Sequence, residues 1–407
     1  MSRLINKVVH ALIRDWVRRS LPHGLMSWRY LFTTNDRRLK LHRDFWWHNR
    51  GAWPRPLWCL LQMWLWLRWL CWGSWRASYR SLKRHGASVK QCTGLSLWEQ
   101  YWRVQHLALC WCVPPNTVYC FGLHLHPQQL LDYVFDHELP SYHNRQSMPL
   151  GLRPASLVQL QDKQALADML SAQGFHVVAT QALLPRYSQQ SLAALLCQTT
   201  PCFIKSRSGN QGRGAFAVFP QADQLTGKTF TGKVLTTTAE VELAWQQLLQ
   251  NDDVLIQPLL QNHPSLAHLC RAQEVITLRY ISQWRDGAVH CLSASLEVPF
   301  QGDNLIEYAL LGISPSGVLF PFPNEYLYSR RERADKLWQQ AAKNPQLPFW
   351  SLLVSQSHLA HQQFSDIKAI AWDWVLTPTG PIMLEGNSGW GTLTPQMING
   401  PLLKSPS

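Results

Sequence analysis

At 407 residues, with 46% apolar and 15% charged side chains, the chain is long enough for two or three domains and a sizeable buried core. Its ten cysteines are scattered along this length, which excludes a small disulfide-stapled secreted fold and fits reduced thiols in a cytosolic protein. The net charge of +13 is concentrated at one end: residues 1–120 carry 19 Lys/Arg against only Asp15, Asp36, Asp44 and Glu99, together with 14 of the 21 tryptophans.

That asymmetry divides the chain into a basic, Trp-rich helical region over 1–120 and a second part over 121–407. The opening residues Val8 to Ile13 form too short an apolar run for a secretory signal. Leu57 to Trp72 is apolar but interrupted by Gln62 and Arg68, and falls short of the ~20 residues a membrane span needs. Two readings stay open for it: a helix packed into the protein core, or an interfacial helix over about 53–84 lying on the cytoplasmic face of a membrane, its tryptophans at the boundary and its basic flanks near head groups. Nucleic acid fits poorly, because the tryptophans cluster with leucines and no recognition motif accompanies them. Cys110, Cys112 and Cys120 lack the paired spacing of a zinc site and read as structural thiols.

Leu157 to Gly174 reads as one amphipathic helix, followed by a strand over Phe175–Ala179 and a helix over Ser191–Cys197. The strand Cys202–Lys205 then runs into Ser206-Arg207-Ser208-Gly209-Asn210-Gln211-Gly212-Arg213-Gly214 before a strand resumes at Ala215–Phe219. Three glycines in six residues let backbone N–H groups approach an anion, and Lys205 adds a charge. The loop joins two strands, which excludes a Walker P-loop and a dinucleotide fingerprint, both of which open a helix.

Val254–Leu259 reads as a buried strand entering a hinge, and Glu274–Ile281 as a strand with Arg279 in its apolar middle, a cation that calls for an anionic partner. The last segment, Ala371 to Asn387, reads as a hairpin turning at Thr377–Pro381. Pairing brings Asp373 beside Glu385, and alternation puts Asn387 on the same face, a hard-oxygen set suited to Mg²⁺. His124, His126, His263, His358 and His361 sit in no motif that names a role.

In this order, Lys163, Lys205 with its glycine loop, the 254–260 hinge, Arg279 and Asp373…Glu385-x-Asn387 resemble the ATP-grasp superfamily, and more narrowly its sugar-transfer-associated branch. The closer likeness adds Asn262-His263-Pro264, Thr277-Leu278-Arg279, Gly302-Asp303-Asn304 and Leu384-Glu385-Gly386-Asn387. The resemblance implies an α+β ATP-grasp fold, two α/β subdomains clasping the nucleotide, with residues of about 175–257 as the small lid. It implies that Lys163, Lys205, Gly209, Gln211 and Gly212 contact ATP phosphates and that Ile256, Gln257 and Leu259 form the hinge beside adenine. Asp373, Glu385 and Asn387 would bind Mg²⁺; Arg279 and Lys205 would be catalytic; Asp303 and Asn304 would face the acceptor. Gln257 replaces the usual hinge acid, Ser206 a proline, and Ile276 an asparagine, while Gly312 is what remains of a glycine pair. The implied activity is a carboxylate–amine ligase acting through an acyl-phosphate in cell-envelope or polysaccharide metabolism. The rivals are a kinase acting on an alcohol and a nucleotide-binding regulatory protein without turnover.

Overall fold

The computed structural model describes residues 19, 21–147, 154–196, 200–209, 214–221, 224–271, 274–301, 306–322 and 331–404. They fall into two compact units. The first comprises Met1–Ser147, Phe322–Glu332 and Gly389–Ser407, and the second Met148–Pro321 and Arg333–Ser388. Residues 121–147, read from the sequence as the opening of the second part, lie in the first unit.

The first unit is helical. Helix α1 (Arg37–His48) starts where the Asp36 carboxylate accepts from the N–H groups of Arg38 and Leu39, satisfying two orphan donors. Helix α2 (Arg55–Arg68) passes through a π turn at Trp69–Gly73 into α3 (Ser74–Thr93), with helical backbone at both junctions. Gly94, at φ 74°, ends α3 in the left-handed conformation that glycine adopts without strain. Helix α4 (Leu97–Trp111) begins at a reciprocal Ser96–Glu99 capping box. Of the apolar run the sequence left open, α2 buries only Trp58, Leu61, Gln62 and Leu65, so one face is core and the opposite one is not. Inside the unit His42 and Glu138 form a fully buried ion pair at 2.9 Å, and Trp69 donates from its indole to the Ala108 carbonyl at 2.7 Å. Of the three clustered thiols, Cys112 and Cys120 are buried and Cys110 is partly exposed.

The second unit is built on two six-stranded antiparallel sheets. The first holds β1 (Ala182–Leu184), β2 (Cys202–Ser206), β3 (Phe216–Gln221), β4 (Gln224–Thr229), β5 (Val234–Leu235) and β6 (Val254–Pro258), in the order β1-β6-β2-β3-β4-β5. The second holds β7 (Thr277–Arg285), β8 (Ala288–Gln301), β9 (Ile306–Ile313), β10 (Leu319–Pro321), β11 (Ala369–Thr377) and β12 (Gly380–Asn387), in the order β10-β9-β8-β7-β11-β12.

Each sheet has one face sealed by a core. Cys202, Ile204, Phe216 and Val218 pack with Val241, Trp245 and Leu249 of α7 (Thr238–Asn251). Leu278, Tyr280, Leu296, Trp372 and Trp374 pack with Trp350, Leu353 and Ala360 of α8 (Trp350–Gln362). Side chains alternate along a strand, so the intervening residues of both sheets are left for the opposite face, where polar groups gather.

Several sequence expectations are corrected. The single helix over 157–174 is two, α5 (Pro154–Gln161) and α6 (Lys163–Ala172), because the Asp162 carboxylate caps the N–H groups of Gln164 and Ala165 and restarts the helix. Phe175–Ala179 is not a strand but makes one bridge, Val177 to Met383. The helix near 191–197 is reduced to Leu192–Leu195, and Cys197 lies outside the described residues. Strand β7 begins only at Thr277, because Asn262 takes up the Glu274 carbonyl (2.7 Å) and the Ile276 N–H (2.8 Å).

Candidate active site

The uncovered faces of the two sheets line a pocket of about 450 Å³ within the second unit. From the first sheet come Phe203, Lys205, Ala217, Phe219, Lys228 and Gln257, the partners by alternation of the core residues just named. From the second come Thr277, Arg279, Glu297, Asp373, Val375 and Glu385, with Tyr308 of β9. Its walls therefore combine apolar and aromatic surface with a small set of converging charges, the usual build of a ligand site.

The charges form a row across three strands. Register sets Arg279 of β7 opposite Asp373 of β11, and Asp373 opposite Glu385 of β12. Arg279 grips Asp373 with two hydrogen bonds, Nε to Oδ1 at 2.8 Å and Nη2 to Oδ2 at 3.0 Å, and reaches Glu297 on β8 at 3.1 Å through Nη1. The Asn387 amide donates to Glu385 Oε1 at 3.1 Å and to Asp373 Oδ2 at 3.5 Å. Gly386 makes this possible: a Cβ there would fall 2.7 Å from Leu160 and 2.8 Å from Trp372, so only glycine lets β12 lie this close between its two polar residues.

Two lysines face the same carboxylates. Lys163, the first residue of α6, lies 3.8 Å from Glu385 Oε2 and donates to the carbonyls of Arg207 and Gly209. Lys205 is the charged residue of β2. Burial lowers its pKa to about 8 and the charge of Lys163 acts the same way, while Glu385 and Asp373 pull it up. Burial and Glu385 hold the Asp373 carboxyl above its ordinary value against the pull of Arg279; burial likewise raises Glu297. The pairing with Asp373 raises the pKa of Arg279 further, so its charge is permanent.

The entrance to the glycine loop is fixed by Arg207, which pairs with the helix-capping Asp162 at 2.7 Å and with Asp253 at 3.3 Å. The loop residues Gln211 and Gly212 lie outside the described residues, as do Asp303 and Asn304. Gln257 and Leu259 line the pocket, but Ile256 does not: its side chain belongs to the core behind the sheet, and its carbonyl accepts from the Gln181 N–H at 2.8 Å. His361 is bound in the core to Ser282 at 2.6 Å, half-buried His358 bonds Tyr280 at 2.7 Å, and His263 accepts from the Ser265 N–H; each is accounted for without a catalytic role.

Sequence reasoning missed Glu297, Lys228 and Glu274. Lys228 and Glu274 pair at 2.8 Å on the pocket wall. The signal for Glu297 was present, an acid alone in the apolar strand Leu296-Glu297-Val298, the same pattern that singled out Arg279.

Whether this site could hold a hard cation turns on the donor set. Among the described residues no three His, Cys, Asp or Glu side chains gather around a metal position. Asp373, Glu385 and the Asn387 amide do converge, and two carboxylates plus an amide oxygen, completed by substrate phosphates, suit Mg²⁺. A half-turn of the amide, chemically equivalent in shape, presents its oxygen in place of its nitrogen. The set fits.

Comparison with known proteins gives one family. The model of the sugar-transfer associated ATP-grasp proteins matches residues 146–406. No curated protein matches the chain. Among solved structures, VanG D-Ala:D-Ser ligase from Enterococcus faecalis is 13% identical with a TM-score of 0.35, over 60% of this chain and 58% of its own. D-alanine-D-alanine ligase from Helicobacter pylori is 12% identical with a TM-score of 0.38, over 62% and 58%. L-amino acid ligase from Bacillus licheniformis is 11% identical with a TM-score of 0.36, over 65% and 54%. This chain thus spans less than two thirds of each, and likeness at this level carries no argument about function.

Proposed function

The chain belongs to the sugar-transfer associated ATP-grasp family, whose model spans more than half of it, and on that premise we propose that it is an ATP- and Mg²⁺-dependent carboxylate–amine ligase. Its fold is α+β, an ATP-grasp fold preceded by a helical region. The observation that carries the proposal is the facing of Lys163 and Lys205 against Asp373 and Glu385 at one pocket, with the Asn387 amide bonded to both carboxylates. Two fixed cations beside a hard-oxygen set are what a metal–triphosphate requires, and few other ligands use both.

In this reading the apolar wall around Phe203, Ala217 and Leu259 takes adenine, and the first sheet with α7, about residues 175–257, is the lid. Gln257 offers its amide to the base or ribose. Lys163 and Lys205 neutralise phosphate oxygens, helped by Gly209, Gln211 and Gly212 of the loop. Asp373, Glu385 and Asn387 hold Mg²⁺, which when bound offsets the negative charge of the triphosphate. Arg279 uses three of its five N–H groups on Asp373 and Glu297, which fixes Asp373 in place and leaves two for an oxygen of the transferring phosphoryl group.

The chemistry balances in two displacements. A substrate carboxylate oxygen attacks the γ-phosphorus, the bond to the bridging oxygen breaks and ADP departs. An amine then attacks the acyl carbon, phosphate departs with the electron pair, and the amine loses a proton. Most of the acceleration in such transfers is positioning and charge stabilisation, the contributions these residues can make. The family's description, sugar-transfer associated, supports an acceptor from cell-envelope or polysaccharide metabolism, for which Asp303 and Asn304 are the proposed contacts. The need for ATP favours a cytoplasmic setting.

Trapping tests the proposal. With ATP, Mg²⁺ and pooled carboxylates, added hydroxylamine should yield a hydroxamate and ADP in equal amounts. A stable phosphomonoester formed instead would make the chain a kinase, and tight ATP binding with no product across a broad acceptor panel would favour a regulatory protein.

A further inference from the structure

The first unit carries a feature that nucleotide chemistry does not use. Helices α2 and α3 and the π turn between them form one near-continuous helical run from Arg55 to Thr93, about 58 Å of axis at helical rise. Its inner face is buried, but its outer face begins as an apolar ridge. Leu57, Leu60, Met63, Trp64 and Leu67 recur three or four residues apart and are each about half exposed. Trp72, 66% exposed, continues the ridge. Trp75 then meets Trp102 of α4 edge-on at 6.2 Å, and Trp102 meets Trp98, 69% exposed, at 5.4 Å.

Beyond that aromatic cluster the outer face of α3 turns cationic: Arg76, Arg80, Lys83, Arg84 and Lys90 are all exposed. Between Asp44 and Glu99 the sequence has eight Lys/Arg and not one carboxylate. Exposed apolar surface of this extent on a soluble protein marks a partner. Protein–protein interfaces share its aromatic character and tolerate arginine, but their buried cores are depleted in charge and in lysine. Tryptophan and leucine beside an unrelieved row of cations match another surface, an apolar layer under anionic head groups. No helix among the described residues is long and apolar enough to cross a bilayer.

We propose that the outer face of α2–α3, with Trp98 and Trp102 of α4, docks on an anionic lipid bilayer, its Leu57–Trp75 ridge inserting at the interface while Arg76–Lys90 pair with head groups. The inference stands independently of the nucleotide site, whose residues are all elsewhere in the sequence.

Vesicle flotation of the full chain tests it, with neutral phosphatidylcholine against the same lipid containing about 30% phosphatidylglycerol. The parent should float with anionic vesicles at about 0.1 M salt, and binding should weaken at least about tenfold at about 0.5 M or on neutral vesicles. The double variant Arg80→Glu/Lys83→Glu should lose at least about tenfold at low salt, and Trp64→Ser/Trp72→Ser about as much. All four positions are exposed, so unchanged circular dichroism and ATP affinity should show that both variants are folded. Failure of the folded parent to float with anionic vesicles would overturn the proposal, as would equal binding by parent and both variants. A concentration-dependent dimer that Trp64→Ser/Trp72→Ser abolishes, with no vesicle binding, would give the face to a second copy. A chain that binds vesicles but forms no acyl-phosphate would refute the ligase reading and leave this one intact.

Discussion

Replacing Arg279 by methionine removes the one guanidinium that Asp373 and Glu297 share, at 2.8 and 3.1 Å, and leaves the chain packing almost unchanged in volume. Asp373 and Glu385 are direct cross-strand partners, which places them about 5 Å apart; two like charges at that distance repel by about 3 kcal/mol at an effective dielectric of about 20. Breaking a buried pair generally costs about 3–5 kcal/mol, and Arg279 is 31% exposed, so solvent screening brings the expected loss to about 2–3 kcal/mol. The assay is urea unfolding of parent and variant at pH 7 and pH 5. Carboxyls whose folded pKa lies above the unfolded value take up protons more readily when folded. Acid therefore relieves the repulsion, and the difference between parent and variant should shrink toward pH 5. A loss below about 0.5 kcal/mol at pH 7, or one that grows as the pH falls, would refute this reasoning.

Other expectations follow from the same geometry. With a pKa of about 8, Lys205 goes from about nine-tenths to one-tenth protonated between pH 7 and 9, so ATP affinity should fall about tenfold across that range in titrations. Lys205→Met should bind more weakly at pH 7 and lose that pH dependence; an unchanged slope would place the titrating group elsewhere. Glu385→Gln should lower Mg²⁺-dependent turnover at least about 100-fold while leaving metal-free nucleotide binding within about threefold, as steady-state rates and calorimetry can check. His361 is fully buried, with burial lowering its pKa to about 4. Its stability contribution is present above the unfolded value near 6.5 and lost as pH falls toward 4, so His361→Gln should flatten the acid limb of stability by up to about 3 kcal/mol. Thermal unfolding at pH 4.5 and 7 would reveal a parent-like slope if that were untrue.

What was legible in the sequence was local. Asp373 and Glu385 flank a short turn, so alternation and hairpin pairing sufficed to bring them together, and the observed register pairs them directly. Arg279 announced a need for anions, but nothing local said that Asp373 and Glu297 would supply them. Those contacts depend on how β7 registers against β8 and β11, across 18 and 94 residues, and register between distant strands leaves little trace in either strand. The helix over 157–174 was misread because its apolar spacing runs on through Asp162, whose capping carboxylate overrides the pattern. In α2 the all-round apolar sequence concealed that only one face is packed, since composition does not say which side a helix buries. Gly386 was read as part of a motif; only packing against Leu160 and Trp372 shows why no other residue fits.

The most direct test is phosphate release from ATP and Mg²⁺ by the full chain, measured with matched panels of carboxylic acids and amines added singly and together. Release that requires both an acid and an amine, with an amide formed for each ATP consumed and nothing formed by Asp373→Asn, is the expected result. Phosphate transferred to an alcohol, or release that continues undiminished in Asp373→Asn, would contradict a ligase built on this carboxylate row.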